Sequence, residues 1–376
     1  LSSKLLVNIC FISYPLYLWL WPALFFARLF EGEELPAETV AVTLMASFVL
    51  AWLTYTYVER PIRFGARRKT AAVATVVVMM IVVGFGLHLQ NNGGYIFRHK
   101  PLNAVHEAMA DADFPQPQVE YYDVKAILVG NQPSRKVAFL GDSNMAQYYP
   151  RIKHLIETGQ AVDLQALFLV KMGCPPIPEI RSRKNGCDAF WDSALRVRED
   201  ATVETVVLTA LWTRYFNENF YLRSLGENKP LRPIGESGEK AFLLLEKFIR
   251  DVTTRGKKVF MILEIPVGLA FAPKNLLQKG WNRLRWLPTI DDPGRETIAA
   301  YRDAVASRLK SIAARTGATV IDPLDFLCNT QTCPVFIEAG KPMHSDKDHL
   351  RASFVRDRVT YMDQTLGVAL APSHTK

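Results

Sequence analysis

The sequence predicts apolar helices in the first quarter of the chain, followed by an α/β domain built on a parallel sheet. Two observations support this fold class. Long apolar runs are concentrated before residue 90. From Lys136 onward, short strand-like runs alternate with helix-like runs, which is typical of a parallel sheet covered on both faces. A chain of 376 residues is also long enough for more than one structural unit.

Three segments approach or exceed the roughly 20 apolar residues that a helix needs to cross a bilayer. They are Leu5 to Phe30, Thr39 to Val58 and Thr70 to Leu89. A signal peptide does not explain three such segments, and a first residue Leu1 instead of Met indicates an incomplete or processed N-terminus. We therefore expect a membrane protein with several spans.

Charge predicts the orientation of these spans. The loop Glu59 to Lys69, between the second and third spans, is rich in Arg and Lys, whereas Glu31 to Glu34 is acidic. Basic loops stay in the cytoplasm, so the chain after about Gln90 is expected on the other side of the membrane. The basic cluster is short and lies between two spans, which favours contact with anionic lipid over nucleic-acid binding.

The α/β domain is predicted to begin with the strand Lys136 to Leu140, followed by a helix from Met145 to Glu157. Ser143, in the sequence G-D-S-N, then lies at a strand-to-helix turn. The N-terminus of a helix has unpaired N–H groups and a partial positive charge, which stabilise an oxyanion. Ser143 is therefore the candidate nucleophile.

A candidate base lies near the other end of the domain, in H-S-D-K-D-H-L. Asp346 and His349 are three residues apart, so Asp346 can orient the imidazole that deprotonates Ser143. Each motif alone is common in turns and capping loops, but the two together favour catalysis. His344 is the nearest competitor for the role of base.

Four further strands are predicted, and two helices between them have clear ends. The strands are Leu164 to Val170, Thr205 to Leu211, Lys258 to Leu263 and Thr319 to Ile321. The helices Glu239 to Thr254 and Arg295 to Thr316 each end shortly before a glycine. A last helix is expected from Ala352 to Leu366.

G-D-S-N after the first strand and D-x-x-H near the C-terminus resemble the SGNH (GDSL-like) hydrolase family. The nucleophile motif of α/β-hydrolases, G-x-S-x-G, is disfavoured because Met145 stands where its last glycine belongs. The resemblance implies a flavodoxin-like, three-layer α/β domain, in which the Ser and His loops meet at the carboxyl edge of the sheet. It also implies that the Gly173 N–H joins that of Ser143 in an oxyanion hole, the alternative being that Gly173 is only a turn glycine.

The third SGNH motif, G-x-N-D, has no counterpart in this sequence. The third strand runs into A-L-W-T-R-Y, where Trp212 and Arg214 occupy the expected region. Asn144, Trp212 and Arg214 are candidate substrate contacts. For Trp212 the alternative is simple packing against the core, since an aromatic residue at a strand end is more often part of it.

Four of the five cysteines flank two loops of the predicted α/β domain. In an oxidising compartment Cys174 with Cys187 and Cys328 with Cys333 are the favoured disulfides, although four cysteines permit three pairings. A zinc site is a weaker alternative because neither spacing is C-x-x-C, and no metal is predicted. Cys10 lies in a predicted span and is expected to be a small apolar residue.

A second resemblance comes from the N-terminal residues. Ile12 to Pro22, I-S-Y-P-L-Y-L-W-L-W-P, and Tyr57 to Arg63, Y-V-E-R-P-I-R, resemble the closing helices of the acyltransferase-3 membrane family, the O-acetylases of bacterial surface polysaccharides. Leu20 occupies a position that is often His in that family, and the helices with the family's proposed catalytic residues are missing. Acyltransferase-3 domains are often fused through one additional span, here Thr70 to Leu89, to a periplasmic SGNH domain.

The two resemblances together predict the domains as residues 1–69, a truncated acyltransferase-3 domain; 70–89, an additional span; 90–135, a periplasmic linker; and 136–376, the SGNH domain. They imply an inner-membrane O-acyltransferase that acetylates a surface polysaccharide or lipid-linked glycan such as lipopolysaccharide O-antigen. Acetyl-CoA would serve as donor to the missing membrane domain, and the SGNH domain would need no cofactor. A periplasmic esterase and a catalytically idle glycan-binding module are the alternatives.

Overall fold

The computed structural model describes residues 4–31, 35–65, 68–92, 94, 100–131, 135–184, 186–278, 285–286, 292–338 and 340–369. They belong to two compact units, the first formed by residues 1–103 with 277–285 and the second by residues 104–276 with 286–376. Parts of the predicted charged loops, 32–34 and 66–67, lie outside the described residues, as do His99 and His374.

The first unit consists mainly of helices at the three predicted spans. They are α1 (Lys4–Glu31), α2 (Ala37–Thr54), a π-helical turn (Tyr55–Glu59), α3 (Arg60–Phe64) and α4 (Arg68–Asn91). Among the helices of the described residues, 37–64 and 69–91 are long and apolar enough to cross a membrane. The most apolar window of 69–91 has no buried residue, unlike the core helix of a soluble domain. The first predicted span remains a prediction.

The second unit is an α/β domain around a mixed, largely parallel sheet of seven strands. The strands are β1 (Val119–Tyr121), β2 (Val124–Val129), β3 (Lys136–Gly141), β4 (Gln165–Val170), β5 (Val203–Thr209), β6 (Lys258–Ile262) and β7 (Thr319–Ile321). Their order in the sheet is β1-β2-β4-β3-β5-β6-β7. The five parallel strands, taken alone, have the flavodoxin-like order 2-1-3-4-5, in which ligands bind beyond the carboxyl ends of the strands.

The predicted linker, residues 90–135, requires a correction because part of it is folded into this sheet. Strand β2 pairs antiparallel with β4, with Ile127 opposite Phe168. Strands β1 and β2 form a hairpin whose turn residues, Tyr122 and Asp123, both have positive φ angles of 44° and 67°. The turn contains no glycine to mark it in the sequence. The sheet is therefore mixed and not purely parallel.

The helices of the second unit cover both faces of the sheet. They are α6 (Ser143–Ala146), α7 (Tyr149–Glu157), α8 (Cys187–Ala194), α9 (Glu236–Thr254), α10 (Arg295–Thr316), α11 (Leu324–Leu327) and α12 (Ala352–Arg358), whereas α5 (Lys100–Ala110) begins in the first unit and ends in the second. The single helix predicted from Met145 to Glu157 is divided in two, since Pro150 favours the first turn of a new helix. The last predicted helix becomes 3₁₀ after Arg358, over Thr360–Leu366.

Short elements complete the chain outside the main sheet. Three pairs of short strands are Ile180–Ser182 with Phe220–Leu222, Leu277–Gln278 with Arg285–Trp286, and Phe336–Glu338 with Lys341–Pro342. Further 3₁₀ turns span Leu195–Arg198, Trp212–Tyr215, Leu269–Phe271 and Pro273–Leu276.

The core lies in two layers, one on each face of the sheet. Along β3, Ala138 and Leu140 belong to one layer and Val137 and Phe139 to the other, as the two-residue period of a strand requires. Because both faces are apolar and covered, polar side chains with a catalytic role are expected at the carboxyl edge of the sheet. That edge is where β3 leads to Ser143.

Both predicted disulfides, Cys174–Cys187 and Cys328–Cys333, are present, which confirms that pairing among the three possible ones. In the part of the chain that the structure describes, no group of three or more His, Cys, Asp or Glu side chains is arranged to hold a metal ion.

The buried ion pair between Arg151 and Asp363 joins α7 to the closing 3₁₀ segment. The Arg151 Nε donates to Asp363 Oδ1 at 2.8 Å, and its Nη2 donates to Oδ2 at 2.5 Å. Asp363→Ala would leave the guanidinium buried without its carboxylate, which should lower the free energy of unfolding by about 3–5 kcal/mol. Urea unfolding of the detergent-solubilised chain, followed by circular dichroism, measures this change.

Asp357→Ala is the control, because Asp357 pairs with Arg356 on the surface. Its loss should cost less than about 1 kcal/mol. Equal effects of the two substitutions would contradict the structural importance of the buried pair.

Candidate active site

The turn after β3 presents Ser143 at the first position of α6. The carboxylate of Asp142 caps this helix by accepting the Asn144 N–H at 2.7 Å. The backbone of Gly141 passes so close to Thr209 that a Cβ atom would lie 2.1 Å from the Thr209 carbonyl oxygen. Only glycine allows this approach, so the packing of β3 against β5 requires Gly141 directly before Asp142 and Ser143.

The structure brings Ser143, His349 and Asp346 into one chain of hydrogen bonds. The distance from Ser143 Oγ to His349 Nε2 is 2.7 Å, and His349 Nδ1 lies 2.8 Å from Asp346 Oδ2. The His349 side chain is 14% exposed. With a proton on Nδ1 shared with Asp346, Nε2 is free to accept the proton of the serine hydroxyl, as in a serine triad.

The surroundings of Asp346 keep it ionised. Partial burial raises its pKa, but hydrogen bonding and attraction to His349 outweigh this effect, and the net pKa of Asp346 lies below its ordinary value. Its Oδ1 also accepts the N–H groups of Asp348 and His349, at 2.7 and 2.8 Å. The carboxylate thereby holds both the His349 ring and the loop that carries it.

Gln147 joins the turn that carries Ser143 to residues 345–350, the loop that carries His349 and is here called the His loop, a role that sequence analysis missed. Its Nε2 donates to the carbonyl and the Oδ1 of Asn144, both at 3.1 Å. Its Oε1 accepts the Leu350 N–H at 2.9 Å. The side chain is buried, so these bonds are shielded from water. No local signal in the sequence marks Gln147, because its partner lies 203 residues away.

Asp142 holds the loop that follows β5. Its Oδ2 accepts the Leu211 N–H at 3.0 Å and the hydroxyl of Tyr215. Burial raises the pKa of Asp142 above its ordinary value, although the three donors to its carboxylate oppose the shift. Asp142 therefore connects two strand ends, while Asp346 is the carboxylate that contacts His349.

Glu264 holds the same loop from the other side. It follows β6, is 3% exposed, and its Oε1 accepts the N–H and the hydroxyl of Thr213 at 2.7 and 2.8 Å. Burial raises the pKa of Glu264 from 4.5 to about 7. In this chain, two buried acidic side chains fix the loop at the position where the sequence lacks G-x-N-D.

The family of this chain is identified by its similarity to known proteins. The family described as SGNH domain (fused to AT3 domains) matches residues 110–357. The chain belongs to this SGNH family. Among solved structures it is similar to the periplasmic domain of the Salmonella ser. Paratyphi A lipopolysaccharide acetyltransferase, with 13% identity over 63% of this chain and 84% of that chain and a TM-score of 0.41. Among curated proteins, none matches.

The family match confirms the SGNH resemblance and begins within the segment predicted as a linker. It does not include the N-terminal helices, so the acyltransferase-3 assignment of residues 1–69 remains a prediction. In this SGNH domain, a cavity of about 310 Å³ opens beside Ser143. Its lining is largely polar and includes Ser143, Gly173, Lys184, Arg214 and Asn219.

This cavity is lined in part by Gly173 and Arg214, two of the residues predicted to lie near Ser143. Gly173 adopts a φ of +71°, which favours glycine, and its neighbour Cys174 is held by the disulfide to Cys187. The Arg214 Nη1 donates to Asp348 Oδ2 at 2.6 Å, joining the β5 loop to the His loop. The cavity wall is therefore held at Gly173 by the neighbouring disulfide and at Arg214 by its bond to Asp348.

The three other residues considered for the site are buried and contact neighbouring protein groups. Trp212 is buried and donates its indole N–H to the Ile262 carbonyl at 3.0 Å, so it packs in the core and does not shape the cavity. Asn144 is also buried, with its Oδ1 bound to Gln147. The His344 ring is buried against the Pro266 carbonyl, and burial lowers its pKa to about 4. His349, not His344, contacts Ser143.

The raised pKa of Glu264 predicts a pH-dependent stability. Because the folded pKa lies above the ordinary value, this contribution is fully present below about pH 4.5 and is lost as the pH rises through about 7. Glu264→Gln keeps an acceptor for Thr213 and removes the titration. The free energy of unfolding of the wild type should fall relative to the variant by up to about 1.4 kcal/mol per pH unit in this window.

Urea unfolding of both proteins at several pH values between 5 and 8 measures the difference. Glu338→Gln is the matched control, since Glu338 is exposed and its pKa is lowered by Lys341. The free energy of unfolding of Glu338→Gln should change with pH in the same way as that of the wild type between pH 5 and 8. If the free energy of unfolding of Glu264→Gln also followed that of the wild type over this pH range, the raised pKa of Glu264 would be contradicted.

Proposed function

We propose that this SGNH domain is an acyltransferase that carries an acyl group, most simply acetyl, on Ser143 and transfers it to a hydroxyl of a cell-surface glycan. The observation that carries the proposal is the continuous set of hydrogen bonds from Ser143 through His349 to Asp346. A non-catalytic binding module has no need for a serine hydroxyl, an imidazole and an ionised carboxylate in this arrangement.

In the first half of the reaction, Ser143 Oγ attacks the carbonyl carbon of the acyl donor while His349 Nε2 takes the hydroxyl proton. The tetrahedral oxyanion is stabilised by the Ser143 N–H at the N-terminus of α6, with Gly173 as the predicted second donor. The bond from the acyl carbon to the leaving group of the donor then breaks, His349 gives the proton to that leaving group, and the acyl group remains on Ser143.

In the second half, a glycan hydroxyl attacks the acyl-serine. His349 takes its proton, the bond from the acyl carbon to Ser143 Oγ breaks, and Ser143 recovers the proton. Asp346 stabilises the imidazolium in both halves. The largely polar cavity, with Lys184 and Asn219 in its wall, supports an acceptor rich in hydroxyl groups.

The cellular setting of the proposal rests on the family and on the N-terminal helices. SGNH domains of this family are fused to AT3 domains, which supports delivery of the acyl group by a membrane domain from a donor such as acetyl-CoA. Two candidate membrane helices and two disulfides support a membrane protein whose SGNH domain faces an oxidising, periplasmic space. Lipopolysaccharide or another surface polysaccharide is the proposed acceptor.

Hydrolysis is the second candidate reaction, because the same acyl-serine can react with water. The side chain of Asp346 is 54% exposed, so water reaches the outer side of the triad. An esterase would release free acetate, whereas a transferase would produce an acetylated sugar. The two reactions share every step up to the acyl-serine.

The proposal predicts that a serine-directed phosphonate modifies Ser143 in the full chain. Intact-mass analysis and peptide mapping of the detergent-solubilised protein should show one adduct on Ser143. The adduct should be absent in Ser143→Ala and should form at least about 10²-fold more slowly in His349→Ala, because general-base catalysis is lost. Ser307→Ala, on the exposed side of α10, is the control and should react like the wild type.

Absence of an adduct on the folded wild type would contradict an activated serine in this domain. Where the adduct forms, incubation with p-nitrophenyl acetate with and without an oligosaccharide distinguishes the two reactions. Acetylated sugar supports the transferase, and acetate alone in both samples supports the esterase.

A further inference from the structure

The segment from Asp111 to Phe114, here called the strap, contacts the His loop. It follows α5 in the chain and precedes the β1–β2 hairpin, within the part of the sequence predicted as a linker. The family match begins at residue 110 and so includes the strap in the SGNH domain. Nothing in the sequence analysis assigns a role to these residues.

Asp111 binds the start of α12, the helix that directly follows His349. Its carbonyl oxygen accepts the Ala352 N–H at 2.9 Å, and its Oδ1 accepts the Ser353 N–H at 3.0 Å. Its Oδ2 accepts the Ser353 hydroxyl and the Arg351 Nε, the latter at 2.9 Å. Asp111 therefore caps α12 from a distant part of the chain and fixes the strap against the His loop.

Phe114 extends from the strap to the imidazole of His349. The two ring centroids are 5.3 Å apart, and the ring planes meet at 81°, an edge-to-face contact. Aromatic pairs with this geometry are attractive beyond the burial of their surface. His349 is thus held at three places, by Ser143 at Nε2, by Asp346 at Nδ1 and by Phe114 at the ring.

We propose that Phe114 is a positioning residue for His349 and that Asp111 anchors the strap so that the Phe114 ring stays in place. This inference rests on the proposed function, in which His349 is the base. During the reaction the imidazole must exchange a proton first with Ser143 and then with the acceptor, without turning away. A ring packed against it removes alternative orientations while leaving Nε2 directed at Ser143.

The strap brings residues ahead of the first parallel strand into contact with His349. The Asp346 side chain is 54% exposed, so water competes for its hydrogen bond to the imidazole. The strap adds an apolar contact that water does not compete for. Misplacement of a catalytic group by as little as 1 Å can cost on the order of 10²-fold in rate.

The test measures how Phe114 variants of the full, detergent-solubilised chain react with the serine-directed phosphonate. The rate constant of the chemical step and the concentration giving half the maximal rate are determined separately. Phe114→Leu should lower the rate constant about 10-fold, within the cost of a misplaced catalytic group, and leave the half-maximal concentration unchanged. Phe114→Tyr keeps the ring and should react like the wild type.

Phe326→Leu is the matched control. Its ring is 46% exposed and packs on Tyr361, with centroids 5.0 Å apart, and not on His349. It should react at the wild-type rate. Phe114→Met, which keeps side-chain volume without a ring, replaces Phe114→Leu if the leucine variant has a lower melting temperature than the control.

The decisive comparison is made in the His349→Ala background. If Phe114 acts through the imidazole, Phe114→Leu should have no further effect once the imidazole is gone. If Phe114→Leu instead destabilised the whole domain, it would lower the residual rate of the His349→Ala protein further. Asp111→Ala should reproduce the Phe114→Leu effect, whereas Asp325→Ala, which removes a surface partner of Arg295, should not.

The outcomes separate this inference from the proposed function. No labelling of the wild type contradicts the proposed function. Labelling that depends on His349 but is unchanged in both Phe114→Leu and Phe114→Met overturns the positioning role alone. The positioning role is also overturned if Phe114→Leu lowers the rate constant by the same factor in the His349→Ala background as in the wild type. The effect would then not pass through the imidazole.

Discussion

The hydrogen bond between Ser143 and His349 is the contact on which the rest of the site depends. It is 2.7 Å long and joins residues 206 positions apart, so neither loop can set it alone. The fold makes it possible because β3 ends in a tight turn at the carboxyl edge of the sheet, close to the loop that precedes α12. Gln147 and Asp346 hold these two loops, whereas Asp142 and Glu264 hold the neighbouring loop after β5.

Three of those supporting groups, Gln147, Asp142 and Glu264, are buried, which is costly unless each is hydrogen-bonded. Gln147 satisfies this condition by binding both Asn144, in the turn that carries Ser143, and Leu350. Asp142 and Glu264 bind the loop after β5 from two neighbouring strand ends, and burial raises the pKa of both. Both carboxyl groups hold the loop after β5, whose residues Leu211 and Arg214 line the cavity beside Ser143.

The strap gives the region before the parallel sheet a part in this arrangement. The chain passes from α5 through Asp111 and Phe114, contacts the His loop, and then forms the hairpin at the edge of the sheet. Residues 111–129 are therefore folded against the domain and are not merely a tether. Their contacts are with side chains near the opposite end of the sequence, so local composition contains no sign of them.

The sequence alone determined the elements whose signals are local. Gly-Asp-Ser after an apolar run, the three-residue spacing of Asp346 and His349, the helix Arg295–Thr316 before Gly317 and two closely spaced cysteine pairs each depend on a few neighbouring residues. Only the tertiary structure decided the rest. Trp212 became a core residue, Gln147 a connection between loops and Phe114 a contact of His349 because these roles depend on which strand ends meet in space, and sequence spacing does not encode that.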